Sequence, residues 1–144
     1  MTSALYDTDF YIWTVKQASL LRNEDYAELD LDNLIEEIES MGKNDRRDVS
    51  SRLTTIIEHM LKLLCEPTSR AARGWRHTIL VQRDDLNQLL EDNATLYAQI
   101  DGFIETAYRR ARRRAASTTT CLIAEFPEIC PWTAEQLLGD NFLL

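Results

Sequence analysis

Apolar residues recur at steps of three and four along almost the whole of this 144-residue chain. Such spacing collects them on one face of an α-helix, whereas a half-buried β-strand needs strict alternation of apolar and polar residues. The residues that interrupt helices are scarce, with only four glycines and three prolines. We therefore predict an all-α fold.

Capping residues predict where the helices begin and end. Asp7 or Thr8 is suited to cap a first helix that runs to about Arg22, and Asp30 is suited to cap an acidic helix. Gly42 suits the position just after a helix end, although a bend at Gly42 within one longer helix is the alternative. Three further helices are predicted over residues 45–65, 71–91 and 94–116. The apolar spacing predicts that the first helix turns inward Phe10, Trp13, Ala18 and Leu21. The helix over residues 45–65 carries a predicted inner stripe of Val49, Leu53, Ile56, Ile57, Met60 and Leu64.

The C-terminal part breaks the helical pattern. Prolines follow Phe126 and Cys130, and Thr133 with Gln136 forms a capping box that opens a short last helix. A chain of this length fits one domain. We expect a single helical domain over residues 1–144, a bundle of four to five main helices with an irregular C-terminal strap and a short final helix.

The charge of the chain is unevenly distributed. Its net charge is −8, and residues 1–45 hold eleven acids against three bases, whereas the remaining residues balance thirteen against thirteen. An acidic protein is poorly suited to nucleic acid, because contacts to phosphates dominate that affinity. Apolar runs are far shorter than the roughly 18 residues that span a membrane. We predict neither nucleic acid nor membrane as a partner.

The N-terminal sequence and the cysteines predict the compartment. The first residues lack the basic and apolar regions of a signal peptide. Cys65, Cys121 and Cys130 are odd in number and show no CxxC spacing, so we expect free thiols in a reducing cytoplasm.

Helical geometry predicts one polar cluster. Arg83 falls about 50° from the centre of its helix's apolar stripe, and a buried arginine without a partner would be costly. We expect a carboxylate to pair with it, from Glu37 or Glu39 on the flanks of the acidic helix. His59 lies at the boundary of its own apolar stripe and completes the candidate cluster. A satisfied structural network is the alternative interpretation.

Few chemistries fit the histidines. His59 and His77 are the only two, neither follows a glutamate by three residues, and no HExxH motif occurs. The metal sites common in helical bundles need more histidines than these two, or histidines at that spacing from a glutamate. We therefore predict no metal, no cofactor and no catalytic residues. The spacing of Arg70 and His77 resembles that of a class of helical RNases, which leaves an RNase-like activity open.

Five bases within six residues mark the last long helix. They point away from the alanines of that helix, which predicts exposure, and their role is an anion site, a contact with the acidic third of a partner chain, or a solvated face. These residues are Arg109, Arg110, Arg112, Arg113 and Arg114.

The order of several motifs resembles a bacterial family catalogued as domain of unknown function number twenty-nine. Leu29-Asp30-Leu31 precedes Leu34-Ile35-Glu36-Glu37-Ile38, His59-Met60-Leu61-Lys62 follows, and the remaining matches are Trp75, Ile79, Arg83, Tyr108, Ala111, Phe126-Pro127 and Cys130-Pro131. The resemblance implies a compact helical protein without an assigned activity. The family's recurring polar positions match Glu36, Glu37, His59, Lys62 and Arg83, which adds Lys62 to the candidate cluster.

These observations predict a cytoplasmic helical bundle without catalytic role, an interaction or regulatory module that self-associates as a dimer or binds a protein partner. The alternative is an enzyme, metal-assisted or acting on a phosphate-containing substrate, built around the Glu/His/Arg cluster.

Overall fold

The computed structural model describes residues 4–140 and residue 142, and these residues form helices and loops with no β-strand among them. The all-α prediction is confirmed. The helices are α1 (Ala4–Thr8), α2 (Phe10–Arg22), α3 (Leu31–Cys65), α4 (Ala72–Glu91), α5 (Ala94–Ala98), α6 (Ile100–Thr118) and α7 (Ala134–Leu138). Single 3-10 turns lie at Tyr26–Glu28 and Ile123–Glu125.

The chain divides into two compact units, Met1–Asn44 (unit 1) and Asp45–Leu144 (unit 2). Helix α3 contributes its first part to unit 1 and the remainder to unit 2. The expectation of one domain over residues 1–144 stays a prediction.

A buried carboxylate organises unit 1. Asp30 Oδ2 accepts a hydrogen bond from the Trp13 indole at 3.0 Å and another from Asn33 Nδ2 at 2.8 Å. The backbone N–H of Asp30 donates to Gln17 Oε1 at 2.9 Å. All four residues are buried. Buried polar groups need such partners, so this network ties α2 to the start of α3.

The phase of α2 differs from the predicted one. Phe10, Ala18 and Leu21 were expected to face inward with Trp13, yet all three are exposed and Gln17 is buried instead. Asp9 caps the helix, its Oδ1 accepting from Ile12 N at 3.2 Å. The hydrogen bonds to Asp30 determine which face of α2 is buried. The spacing of apolar residues along the sequence does not predict these hydrogen bonds.

Helix α3 is continuous through Gly42, where the sequence favoured a helix end. The lesser alternative of one longer helix is the observed one. Gly42 has no positive φ, so it does not serve as a left-handed cap.

Unit 2 is built around the second part of α3 packed with α4, α6 and α7. The predicted α3 stripe of Val49, Leu53, Ile56, Ile57 and Met60 is fully buried, but Leu64 is exposed. Other core residues are Ile79, Leu86, Leu90, Ile104, Ala107, Ala111, Phe126 and Leu137.

Of two helix predictions in unit 2, one is wrong and the other is confirmed. The helix expected over residues 94–116 is split at Gln99 into α5 and α6, and Gln99 Oε1 accepts from Arg46 Nη1 at 2.7 Å. The capping box before α7 is confirmed, since Thr133 N donates to Gln136 Oε1 at 3.0 Å and Gln136 N donates to Thr133 Oγ1 at 3.2 Å.

The cysteines correct the expectation of three free thiols. Cys65, at the end of α3, forms a disulfide with Cys121, and their Cα atoms are 6.1 Å apart. Because the two cysteines are 56 residues apart in the sequence, the sequence alone did not predict that they are close. Cys130 is free.

Replacing Gly42 by alanine tests the continuity of α3. A Cβ added at Gly42 meets no atom within 4 Å, and alanine is favoured over glycine inside a helix by about 0.5–1 kcal/mol. We expect Gly42→Ala to raise the free energy of unfolding by up to that amount in urea denaturation. If Gly42 instead ended a helix in a left-handed conformation, the same substitution would lower stability.

Candidate functional site

Arg83 is the most buried charged residue of the candidate cluster, with 0% of its surface exposed. Its Nε donates to Leu137 O at 2.8 Å, its Nη1 to Phe142 O at 2.7 Å and its Nη2 to Gln136 O at 3.1 Å. Met60 Sδ lies 3.8 Å from Nη2. The guanidinium therefore holds Gln136, Leu137 and Phe142 against α4.

The acceptors around Arg83 correct one premise of the sequence argument. A carboxylate was expected to be necessary, but in the described residues backbone carbonyl oxygens take that place. Burial lowers the pKa of the Arg83 guanidinium, and the nearby carboxylate of Asp140 opposes that shift. Because carbonyl dipoles solvate the cation, a direct ion pair is not needed.

His59 and Lys62 lie in unit 2 on one turn of α3, around Glu58. His59 Nδ1 lies 2.8 Å from Thr55 O and 3.9 Å from Glu58 Oε2, and Lys62 Nζ lies 4.0 Å from Glu58 Oε1. Lys62 also stands 5.8 Å from the centre of the Trp75 ring. Burial lowers the pKa of the His59 imidazole, with a smaller opposing effect from its hydrogen bond to Thr55. A neutral imidazole that donates to its own helix is typical of a structural histidine.

Glu37 and Glu39 belong to unit 1, so their predicted pairing with Arg83 and His59 stays a prediction. Within unit 1, Glu37 Oε1 accepts from the Tyr6 hydroxyl at 2.5 Å, and this hydrogen bond raises the pKa of Tyr6 to about 12. Glu39 is exposed. Tyr6, which no sequence pattern marked as a site residue, also packs edge-on against Phe10 and Trp13.

The five arginines of α6 do not behave alike. Arg109 pairs with Glu105 at 3.1 Å, and both side chains are largely exposed. Arg112 is half-buried and donates to Phe126 O at 3.0 Å, so the expectation that it is exposed was wrong. Arg110, Arg113 and Arg114 are exposed and, with Ser117, line a shallow groove of about 420 Å³. The guanidinium groups of these three arginines have no hydrogen-bond acceptor among the described residues.

Other chemistry-bearing residues are structural or isolated. His77 is exposed. Burial raises the pKa of the Cys130 thiol, which disfavours the reactive thiolate. In residues 4–140 and 142, no three His, Cys, Asp or Glu side chains group closely enough to hold a metal ion. None of the described helices combines the length and apolar character needed to cross a membrane.

The geometry defines an all-helical protein whose buried polar residues serve the fold. The chain belongs to the family described as domain of unknown function DUF29, which matches residues 5–143. The resemblance found in the sequence is thereby confirmed. No curated protein matches the chain.

One solved structure with the same fold is an α-helical protein of unknown function from Rhodospirillum rubrum ATCC 11170. It is 24% identical, and the alignment covers 95% of this chain and 90% of that one with a TM-score of 0.62. The similarity supports the fold and carries no activity.

Replacing Arg83 tests its structural role. Arg83→Met retains volume but leaves one buried and two partly buried carbonyls without donors, and each unsatisfied group costs about 1–3 kcal/mol. We expect the free energy of unfolding to fall by at least about 3 kcal/mol. Arg76→Met, on the exposed face of the same helix, is the control and should change stability by less than about 0.5 kcal/mol. Equal effects of the two substitutions would contradict this role.

The lowered pKa of His59 makes stability dependent on pH. The unfolded chain binds a proton near the ordinary histidine pKa of about 6.5, whereas the folded chain binds it only at lower pH. The contribution of neutral His59 to the free energy of unfolding is therefore complete above about pH 6.5, and it is lost as the pH falls toward the pKa of His59 in the folded chain. We expect His59→Gln to reduce the decline of the urea midpoint between about pH 7 and 5.

His77→Gln is the matched control for that measurement, because the exposed His77 should leave the decline unchanged. Identical slopes for wild type and His59→Gln would refute the assignment.

Proposed function

We propose that this protein is a non-catalytic interaction module that self-associates, the acidic stripe of α3 in one copy meeting the arginine stripe of α6 in another. The acidic stripe is Asp32, Glu36 and Glu39, and the arginine stripe is Arg110, Arg113 and Arg114. The observation that carries the proposal is that both stripes are exposed, opposite in charge and without ionic partners among the described residues.

The acidic stripe is a regular feature of its helix. Asp32, Glu36 and Glu39 follow one another at steps of four and three, which aligns them within about 60° over roughly 10 Å. Each is exposed, in contrast to Glu37, which accepts from Tyr6. Unit 1 holds ten acids against three bases, so it carries −7 of the chain's net charge of −8.

The arginine stripe offers the matching surface. Arg110 and Arg113 or Arg114 lie three or four residues apart on α6, so their guanidinium groups share one face. Guanidinium groups form planar, bidentate pairs with carboxylates. Ala107, Ala111 and Ala115 lie on a neighbouring face of α6, about 100° from the stripe, and their burial in the core gives the stripe a rigid support.

The strength of such a contact is limited. Exposed ion pairs contribute about 0.2–1 kcal/mol each, so three pairs produce only weak association. A twofold-symmetric dimer forms the contact twice, because each copy supplies both surfaces. The proposal therefore predicts a reversible dimer whose affinity falls as salt screens the charges.

The alternative of an enzyme around Glu37 or Glu39, His59 and Arg83 has less support. The guanidinium of Arg83 is engaged with backbone carbonyls, and His59 Nδ1 is engaged with Thr55. Groups held in this way have little freedom to bind a phosphate or to move a proton.

The cytoplasm is part of the proposal as the location of the module. Disulfides are rare in that compartment, so the Cys65–Cys121 disulfide weighs against this location.

Charge reversal tests the self-association. We expect sedimentation velocity to detect a dimer at about 0.02 M salt that dissociates at about 0.5 M, since screening strengthens over that range. Arg110→Glu with Arg113→Glu should abolish it. Arg73→Glu with Arg76→Glu, the same charge change on exposed positions of α4, should weaken it much less.

A mixing experiment identifies the partner surface. A variant with Glu36→Arg and Glu39→Arg should fail to dimerise alone but should form a heterodimer with the Arg110→Glu, Arg113→Glu variant, because opposite charges then face each other. A wild type that remains monomeric at low salt, or a mixture that forms no heterodimer, would overturn the proposal.

A further inference from the structure

Unit 1 leaves an apolar groove open between α2 and the first part of α3. Its volume is about 430 Å³, and its walls are Phe10, Leu21, Leu34, Ile38 and Met41 with Trp13 at its base. Ile38 and Met41 are each 66% exposed, and Phe10 and Leu21 are nearly half exposed. Apolar residues that cluster in this way, unlike single exposed ones, mark interaction surfaces.

The groove continues into a second apolar strip on α3. Leu31 and Ile35 are 57% and 53% exposed, and with Ile38 they follow steps of four and three. The acidic stripe of Asp32, Glu36 and Glu39 lies next to this strip on the helix surface, about 80–100° away on average. An apolar surface bordered by carboxylates thus runs along about two turns of α3.

We propose that this groove binds an amphipathic helix of another protein, one whose apolar stripe is flanked by lysine or arginine. Helices lay their apolar face into grooves of this kind through residues at steps of three, four and seven. The carboxylates beside the groove, within a unit of net negative charge, select basic flanks and disfavour acidic ones.

A second copy of the chain does not supply such a helix. Two copies meeting at this face would bring together two acidic units, each with a charge of −7 from ten acids and three bases, and like charges across an interface are costly. The basic helix of the chain, α6, uses Ile104, Ala107 and Ala111 in the core of unit 2. It can present arginines but not an apolar stripe. An anionic membrane surface is repelled by the same carboxylates.

A synthetic probe tests the inference with the full chain. The probe is a fluorescein-labelled peptide of about 18 residues, five helical turns, with leucines at steps of three and four and lysines on both flanks. Fluorescence anisotropy measures its binding. Two control peptides have the same composition in scrambled order, or glutamate in place of lysine. We expect the probe to bind at least tenfold more tightly than either control.

Two matched variants locate the binding. Ile38→Asp places a charge in the groove, and Ile129→Asp places the same charge at a position of unit 2 that is 82% exposed. Each adds one negative charge, which by itself would attract the basic probe. We expect Ile38→Asp to weaken binding at least tenfold and Ile129→Asp to leave it within about twofold. Circular dichroism checks that both remain folded.

Several results would overturn the inference. Equal binding of the scrambled peptide would show that charge alone is recognised, and unchanged binding to Ile38→Asp would place the contact elsewhere. A dimer that Ile38→Asp dissociates, with no peptide binding, would assign the groove to a second copy. The inference is independent of the proposed self-association, because Arg110→Glu with Arg113→Glu should leave the affinity for the probe unchanged or increase it.

Discussion

The buried guanidinium of Arg83 is the constraint on which unit 2 depends. A cation without exposed surface must be solvated by the protein itself, and the three carbonyls that do so belong to Gln136, Leu137 and Phe142. Asn87 Nδ2 adds a fourth contact to the same segment, donating to Leu138 O at 3.0 Å. The position of α7 on α4 is thus determined by polar contacts as well as by the burial of Leu137.

Unit 1 follows a different plan, in which three polar residues are buried around Trp13 and most aliphatic residues remain exposed. Asp30, Asn33 and Gln17 occupy positions that a small helical pair would usually give to aliphatic side chains. Their hydrogen bonds are directional, so they define one geometry for α2 and α3. The consequence is that several aliphatic side chains of both helices are left exposed at the surface, where they line the proposed docking groove.

The helical fold was predictable because periodicity reports local geometry. Steps of three and four located most helices, and the capping box at Thr133 located α7. The sequence failed where long-range contacts decide. Arg83 was correctly expected to be buried and to need acceptors, but nothing local identifies carbonyls more than fifty residues away. The spacing of Leu31, Ile35 and Ile38 gives the first part of α3 an apolar face, but whether such a face is covered depends on tertiary contacts, and here it is exposed. The proximity of Cys65 and Cys121 likewise depends on tertiary contacts and could not be predicted from local sequence.

The contacts of Arg83 also bear on the order in which the protein forms during synthesis. Arg83 and Leu137 are 54 residues apart, an interval of roughly 3–10 s at typical rates of translation. Until the later residues emerge, the guanidinium must remain in water, since burying it without acceptors would be too costly. The apolar stripe of α4 around Arg83 is therefore buried late in synthesis. Unit 1 has no such delay, because Trp13 and Asp30 are only 17 residues apart, and its open groove is exposed to other chains while unit 2 is still being made.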